Sequence, residues 1–70
     1  MEQEELFSFI FFVHFPTGHE IVVMRNVGLD YAEGVEKRTK ECNCTEMITW
    51  VCFDKQKKVV KSGIINKKEE

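Results

Sequence analysis

The fold of this chain is decided by residues 6–15, which read LFSFIFFVHF. Aromatic and β-branched residues dominate this stretch, and such residues favour a β-strand. Side chains of a strand alternate between two faces, and the odd positions form an unbroken apolar face: Phe7, Phe9, Phe11, Val13 and Phe15. Three even positions, Leu6, Ile10 and Phe12, are apolar as well. We therefore expect one face of this strand in a core and the other against a partner.

A turn, a second strand and a helix follow. Residues 16–18 read PTG, which predicts a turn, so residues 20–27 are expected to return as a second strand. The segment 30–42 has helical spacing and places its apolar residues on one stripe: Tyr31, Ala32, Val35, Thr39 and Cys42. Asp30, with Glu33 three residues later, is expected to cap this helix as an acidic variant of the capping box.

Two further strands complete the expected domain. Residues 47–53 and 58–66 have strand-like patterns, and a polar turn at 54–57 separates them. The predicted fold class is α+β, a small, mostly antiparallel sheet in β-β-α-β-β order with one helix packed on one face. Seventy residues form a single domain, 1–70, with an ordered core at about 6–66.

Composition and the N-terminus exclude several classes of protein. No apolar run approaches the roughly 20 residues that a membrane-spanning helix needs. The opening MEQEE lacks the basic segment of a secretory signal. We therefore expect a cytoplasmic protein with no membrane contact, whose three cysteines remain free thiols.

No arrangement of residues predicts catalysis, a metal site or a cofactor. Cys42 and Cys44 with Cys52 lack the paired spacing of structural zinc sites. Cys42 and Cys52 fall on predicted core positions, where thiols act as small hydrophobes. His14 and His19 flank the first turn, but nothing fixes a nucleophile and a base together. The expected function is binding rather than enzymatic activity, with no metal and no cofactor.

Charge is segregated along the chain. Residues 1–36 carry seven carboxylates and one cation, and residues 37–70 carry nine cations and five carboxylates, so the balances of −6 and +4 sum to the net −2. Three ion pairs between residues four positions apart are expected on the helix: Glu33 with Lys37, Glu36 with Lys40 and Lys37 with Glu41. Four other carboxylates have no cation close in sequence: Glu2, Glu4, Glu5 and Glu20. Together with Asp30, and with Tyr31 as an aromatic anchor, they form the predicted partner-binding surface.

The second half of the chain contains a cluster of positively charged residues: Lys55, Lys57, Lys58 and Lys61. With Trp50 or Phe53 for stacking, this hairpin could bind nucleic acid. Lysines also protect an edge strand from aggregation, and pI 5.7 departs from the basic profile of nucleic-acid binders. We expect the protective role, and a small nucleic-acid-binding module using the Lys55–Lys61 hairpin is the alternative.

One helix covers only one face of a small sheet, which leaves an apolar surface uncovered. Leu6, Ile10 and Phe12 are expected on that surface. Contiguous exposed apolar patches mark interfaces. Two occupants remain open, a second copy of the chain in a homodimer and a different protein.

The length, the acidic opening and the hairpin–helix–strand order resemble the small early host-takeover inhibitors of Bacillus-type phages. Residues 28–31 (GLDY), 45–48 (TEMI) and 53–55 (FDK) are similar to the uracil-DNA glycosylase inhibitor of phi29-like phages, over residues 7–58. The size also resembles the phage inhibitor of the nucleoid protein HU. The resemblance implies an inhibitor in the host cytoplasm that occupies the DNA-binding surface of a basic host protein by acidic DNA mimicry. HU is the preferred target and uracil-DNA glycosylase the alternative.

Overall fold

The computed structural model describes residues 5–67 of the chain, and they form the α+β fold that the sequence predicts. In chain order the elements are β1 (Phe7–Phe15), β2 (Gly18–Val27), α1 (Tyr31–Glu41), β3 (Met47–Phe53) and β4 (Val59–Ile65). The four strands form one antiparallel sheet in the order β2-β1-β3-β4. The β-β-α-β-β order is confirmed, and the element ends lie within two residues of the expected ones.

β1 is an inner strand, paired with β2 on one side and β3 on the other. Phe9 is paired with Met24 of β2 and with Cys52 of β3. Directly paired residues of antiparallel strands point to the same face of the sheet. The odd-numbered residues of β1 therefore share a face with the even-numbered residues of β3, and α1 packs on that face.

The core lies between this face and α1. Its buried members are Phe9, Phe11, Ala32, Ile48, Trp50, Cys52 and Ile65. The ring of Phe9 lies at the centre, with centroid distances of 5.5 Å to Trp50 and 5.8 Å to Tyr31. Aromatic pairs at such separations contribute about 0.5–1.5 kcal/mol each beyond their burial. Tyr31 thereby attaches the first turn of the helix to the sheet.

Trp50 occupies the space above Gly63, its paired residue in β4. A Cβ atom built on Gly63 would lie 2.6 Å from Cζ2 and 2.8 Å from Cε2 of the indole. Real Cβ atoms essentially never approach other atoms so closely. The indole can rest flat on β4 only because position 63 has no side chain.

The start of α1 differs from the sequence-based expectation. Asp30 occupies the N-cap position, but its side chain makes no capping hydrogen bond, so the predicted capping box is wrong. The backbone closes the first turn instead, with Tyr31 N donating to Gly28 O at 3.1 Å and Glu33 N donating to Asp30 O at 3.0 Å. A capping carboxylate needs an extended backbone, and Asp30 has φ −87° and ψ 6°.

The end of α1 removes Cys42 from the predicted core stripe. The helix stops at Glu41, and the backbone N–H of Cys44 donates to Thr39 O at 2.9 Å. Asn43 takes the left-handed conformation, with φ 56°. The chain turns away from the sheet at this point, so Cys42 is exposed and its predicted burial is wrong. Cys52 is fully buried, as expected.

Of the three expected helix ion pairs, one forms within residues 5–67. Lys40 Nζ lies 4.0 Å from Glu36 Oε2. The pairs of Lys37 with Glu33 and with Glu41 do not form. Both members of the observed pair are solvent-exposed, where an ion pair contributes less than about 1 kcal/mol.

Candidate binding surface on the uncovered sheet face

The face of the sheet opposite α1 is covered by no element of residues 5–67; we call it the open face. Strand register places nine apolar side chains there: Ile10, Phe12, Ile21, Val23, Met47, Val51, Phe53, Val59 and Ile64. Ile21, Val23 and Ile64 are each about half exposed, at 55%, 47% and 49%. The predicted positions of Ile10 and Phe12 are confirmed. Leu6 precedes β1 and lies outside the strand.

One end of the open face contains a depression of about 520 Å³, which we call the cationic depression. It lies where β1 begins and β3 ends. Apolar side chains form its floor, and three cations and one carboxylate surround it. Its lining residues are Ser8, Ile10, Val23, Arg25, Phe53, Asp54, Lys55 and Lys57.

The β3–β4 turn shapes one side of this depression. Asp54 Oδ1 accepts hydrogen bonds from the backbone N–H groups of Gln56, at 2.8 Å, and Lys58, at 3.0 Å. Lys57 has the left-handed conformation, φ 65°, and its backbone N–H donates to Asp54 O at 3.0 Å. The one carboxylate of the depression is thus engaged in holding the turn.

The cations of the depression form no ion pair with any carboxylate of residues 5–67. Glu36–Lys40 is the only ion pair within residues 5–67, so Arg25, Lys55 and Lys57 each lie more than 4.0 Å from any described carboxylate oxygen. Three cations against one carboxylate leave a local charge of +2. A concave surface of one charge sign raises the local concentration of oppositely charged ligands. The depression is therefore suited to an anion that also carries an apolar or aromatic group.

The fold separates the members of the lysine cluster. Lys55 and Lys57 face the depression, whereas Lys61 is paired with Cys52 and so lies on the helix side of the sheet. Trp50 is 9% exposed beneath α1 and cannot stack on a base, whereas Phe53 lies in the depression. Of the two aromatic residues considered for stacking, only Phe53 is in place.

Arg25 belongs to this site although sequence reasoning did not single it out. It is the one cation among residues 1–36, and it follows Ile21 and Val23 with the two-residue period of a strand. That alternation is a signal that it shares their face. Its proximity to the lysines of a distant turn depends on the strand order.

The carboxylates of the predicted partner-binding surface are only partly brought together. Glu2 and Glu4 lie outside the described residues. Glu5 and Asp30 are exposed and flank the paired residues Phe7 and Val27, at one end of the sheet. Glu20 is paired with Val13, six residues along β1 from Phe7, which corresponds to about 20 Å.

Tyr31 packs inward rather than standing free. Its ring centroid lies 5.8 Å from that of Phe9 and 6.0 Å from that of Phe11. The part of Tyr31 that remains accessible lines a shallow cleft of about 270 Å³ beside Asp30 and Arg38. Tyr31 also lines a second cleft, of about 140 Å³, together with Val22 and Met24 of β2.

Comparison of the chain with family models, with curated proteins and with solved structures finds no match. No helix within residues 5–67 is long and apolar enough to cross a membrane.

Proposed function

We propose that this protein is a non-catalytic binding module that takes up single-stranded nucleic acid on its open face. The observation that carries the proposal is the cationic depression, where Arg25, Lys55 and Lys57 surround an apolar floor that includes Phe53 and pair with no carboxylate of the part of the chain that the structure describes. Phosphates are bound by Arg and Lys, and unpaired bases stack on aromatic rings. Arg25 lies on β2 and the lysines follow β3, two strand spacings or about 10 Å apart, so cations flank the floor on both sides.

The size and charge of the molecule favour a single strand over a duplex. The depression is local, and the chain as a whole carries a net charge of −2. A duplex presents a dense, rigid array of phosphates and is bound through an extended cationic surface. A flexible single strand can place one or two nucleotides in a small cationic depression.

A homodimer through the open face is less favoured. The four strands contain 33 residues, and at about 3.3 Å by 4.8 Å for each residue they span a flat area of roughly 520 Å². A stable dimer buries about 800 Å² on each partner. A second copy would also bring another set of Arg25, Lys55 and Lys57, and with it a single carboxylate of the depression, Asp54, which is already hydrogen-bonded within its own turn.

Fluorescence anisotropy with a labelled 12-nucleotide single strand, as DNA and as RNA, tests the main proposal. The triple variant Arg25→Gln, Lys55→Gln, Lys57→Gln is expected to lose binding. The triple variant Lys37→Gln, Arg38→Gln, Lys67→Gln is the matched control, because it removes the same charge at residues that do not line the depression. Equal binding by both variants, or no binding by the parent protein, would reject the proposal.

We also propose a second function, inhibition of a basic host DNA-associated protein in the cytoplasm, with HU preferred and uracil-DNA glycosylase second. The specific support is the exposure of Glu5 and Asp30 at the same end of the sheet, with Glu2 and Glu4 preceding Glu5 in sequence. Carboxylates at this end would replace phosphates in a cationic DNA-binding groove. Glu20, at the far end, would contribute to long-range attraction only.

Titration with purified HU distinguishes the two functions. If the protein inhibits HU by acidic mimicry, it should bind HU, and duplex DNA should compete with that binding. The double variant Glu5→Gln, Asp30→Asn should bind HU more weakly than the parent does. The cationic triple variant should bind HU as the parent does. HU binding that is insensitive to the carboxylate changes would contradict acidic mimicry.

A further inference from the structure

A row of three potential metal ligands crosses the open face at the end opposite the cationic depression. His14 of β1 is directly paired with His19 of β2 on one side and with Met47 of β3 on the other. Directly paired residues share a face, so the two imidazoles and the thioether project from neighbouring positions on the same face. The sequence separates Met47 from the histidines by a strand and a helix, and only the strand order makes them neighbours.

The hairpin brings the two imidazoles close together. Phe15 is paired with Gly18 around the turn, and His14–His19 is the next pair. Side chains of directly paired residues have Cβ atoms about 4.5–5.5 Å apart. That separation allows one nitrogen of each ring to reach a common ion at about 2.0 Å.

The ring of His14 is held in place by a neighbour. Its Nε2 lies 3.0 Å from Thr49 Oγ1, on the same face of the sheet. A histidine that ligates a metal commonly donates its other N–H to an oxygen, which fixes the tautomer and the ring orientation. If Nε2 donates to Thr49, the lone pair of Nδ1 is directed away from that bond and is free to bind an ion.

We propose that His14, His19 and Met47 form a binding site for copper, in the Cu(I) state. The donor set contains two neutral imidazoles and one thioether. Soft thioether ligands favour Cu(I), whereas imidazole alone also suits zinc and nickel. The adjacent carboxylates point elsewhere, since Glu20 lies on the helix side of the sheet with Val13. Glu46 accepts a hydrogen bond from Cys44 Sγ at 3.5 Å.

The site differs from a zinc site built of charged ligands. Within residues 5–67, no three side chains drawn from His, Cys, Asp and Glu come together to hold an ion. The third ligand here is a methionine, which adds no negative charge. A monovalent soft cation fits a neutral donor set of this kind better than a divalent hard one.

The cysteine thiols of the chain must not compete with the proposed site for Cu(I) during the test. Cys42 is exposed and Cys44 is half-buried, and both would bind Cu(I) themselves, whereas Cys52 is fully buried. The parent for the test is therefore the full chain with Cys42→Ser and Cys44→Ser. Its fold is checked by circular dichroism, and Cu(I) affinity is measured without oxygen against a chromophoric Cu(I) chelator.

The parent is expected to bind one equivalent of Cu(I). Thr49→Val should weaken binding about tenfold, because it removes the hydrogen bond that orients His14. His19→Gln, at an exposed position, should weaken it further, because it removes a ligand. Met47→Leu should weaken Cu(I) binding and leave Zn(II) binding unchanged. Unchanged Cu(I) affinity in either His19→Gln or Met47→Leu, in a variant that keeps its circular dichroism spectrum, would overturn the proposal.

Discussion

Replacement of Gly63 by alanine is expected to destabilise the protein, although alanine in a strand is ordinarily favoured over glycine. The new Cβ would lie 2.6 Å from Cζ2 of Trp50, about 1 Å inside an ordinary carbon–carbon contact of about 3.5–4.0 Å. Trp50 is buried against Phe9, so the indole cannot move away without disturbing the aromatic cluster. Overpacking of a core costs typically 1–3 kcal/mol, which for a domain of this size lowers Tm by roughly 5–20 °C.

The matched control for this experiment is Gly34→Ala in α1. A Cβ atom at Gly34 meets no atom within 4 Å, and the position is exposed. Alanine in a helix is favoured over glycine by about 1 kcal/mol, so this variant should melt at a higher temperature than the parent. Thermal unfolding of both variants by circular dichroism gives the comparison. A rise in Tm for Gly63→Ala of the same size as for Gly34→Ala would refute the placement of Trp50 over β4.

Three further results are expected. Val35→Asp should unfold the protein, because Val35 packs against the core and an unpaired carboxylate would enter it. Near-ultraviolet circular dichroism measures the loss of tertiary structure, and an unchanged spectrum would contradict the packing of α1 on the sheet. With three phosphate contacts, binding to single-stranded nucleic acid should weaken about 20-fold between 50 and 200 mM salt, and anisotropy titrations that show no salt dependence would exclude the cationic depression as the site. Burial raises the pKa of the Cys52 thiol above its ordinary value of 9.0, so the contribution of the neutral thiol to stability is present below pH 9.0 and is lost as pH rises through the raised pKa. Denaturant unfolding should therefore show that Cys52→Ala loses less stability at alkaline pH than the parent does. Equal losses of stability in the two proteins would contradict this assignment.

The elements of the fold could be predicted because their signals are local. The alternation in residues 7–15 and the stripe formed by Tyr31, Ala32 and Val35 depend only on the periods of a strand and a helix. The placement of Ile10 and Phe12 on the open face also followed from alternation, once a single helix was expected on the other face. The two local errors, at Asp30 and Cys42, arose at the ends of α1, where a change in one backbone dihedral redirects the chain.

The candidate sites could not be predicted because they depend on which strands are neighbours. With β1 between β2 and β3, Arg25 comes to the same depression as Lys55 and Lys57, and His19, His14 and Met47 come into one row. Another strand order with the same local patterns would separate both sets.

The sequence by itself determined the identity of the elements and the face that each presents, because a side chain's direction follows from local backbone period. Only the tertiary structure decided which charges and ligands meet. The strand order depends on the pairing of β1 with β3, where the ring of Phe9 lies 5.5 Å from that of Trp50. That contact joins residues 41 positions apart, and packing between such distant segments leaves no periodic signal in either of them.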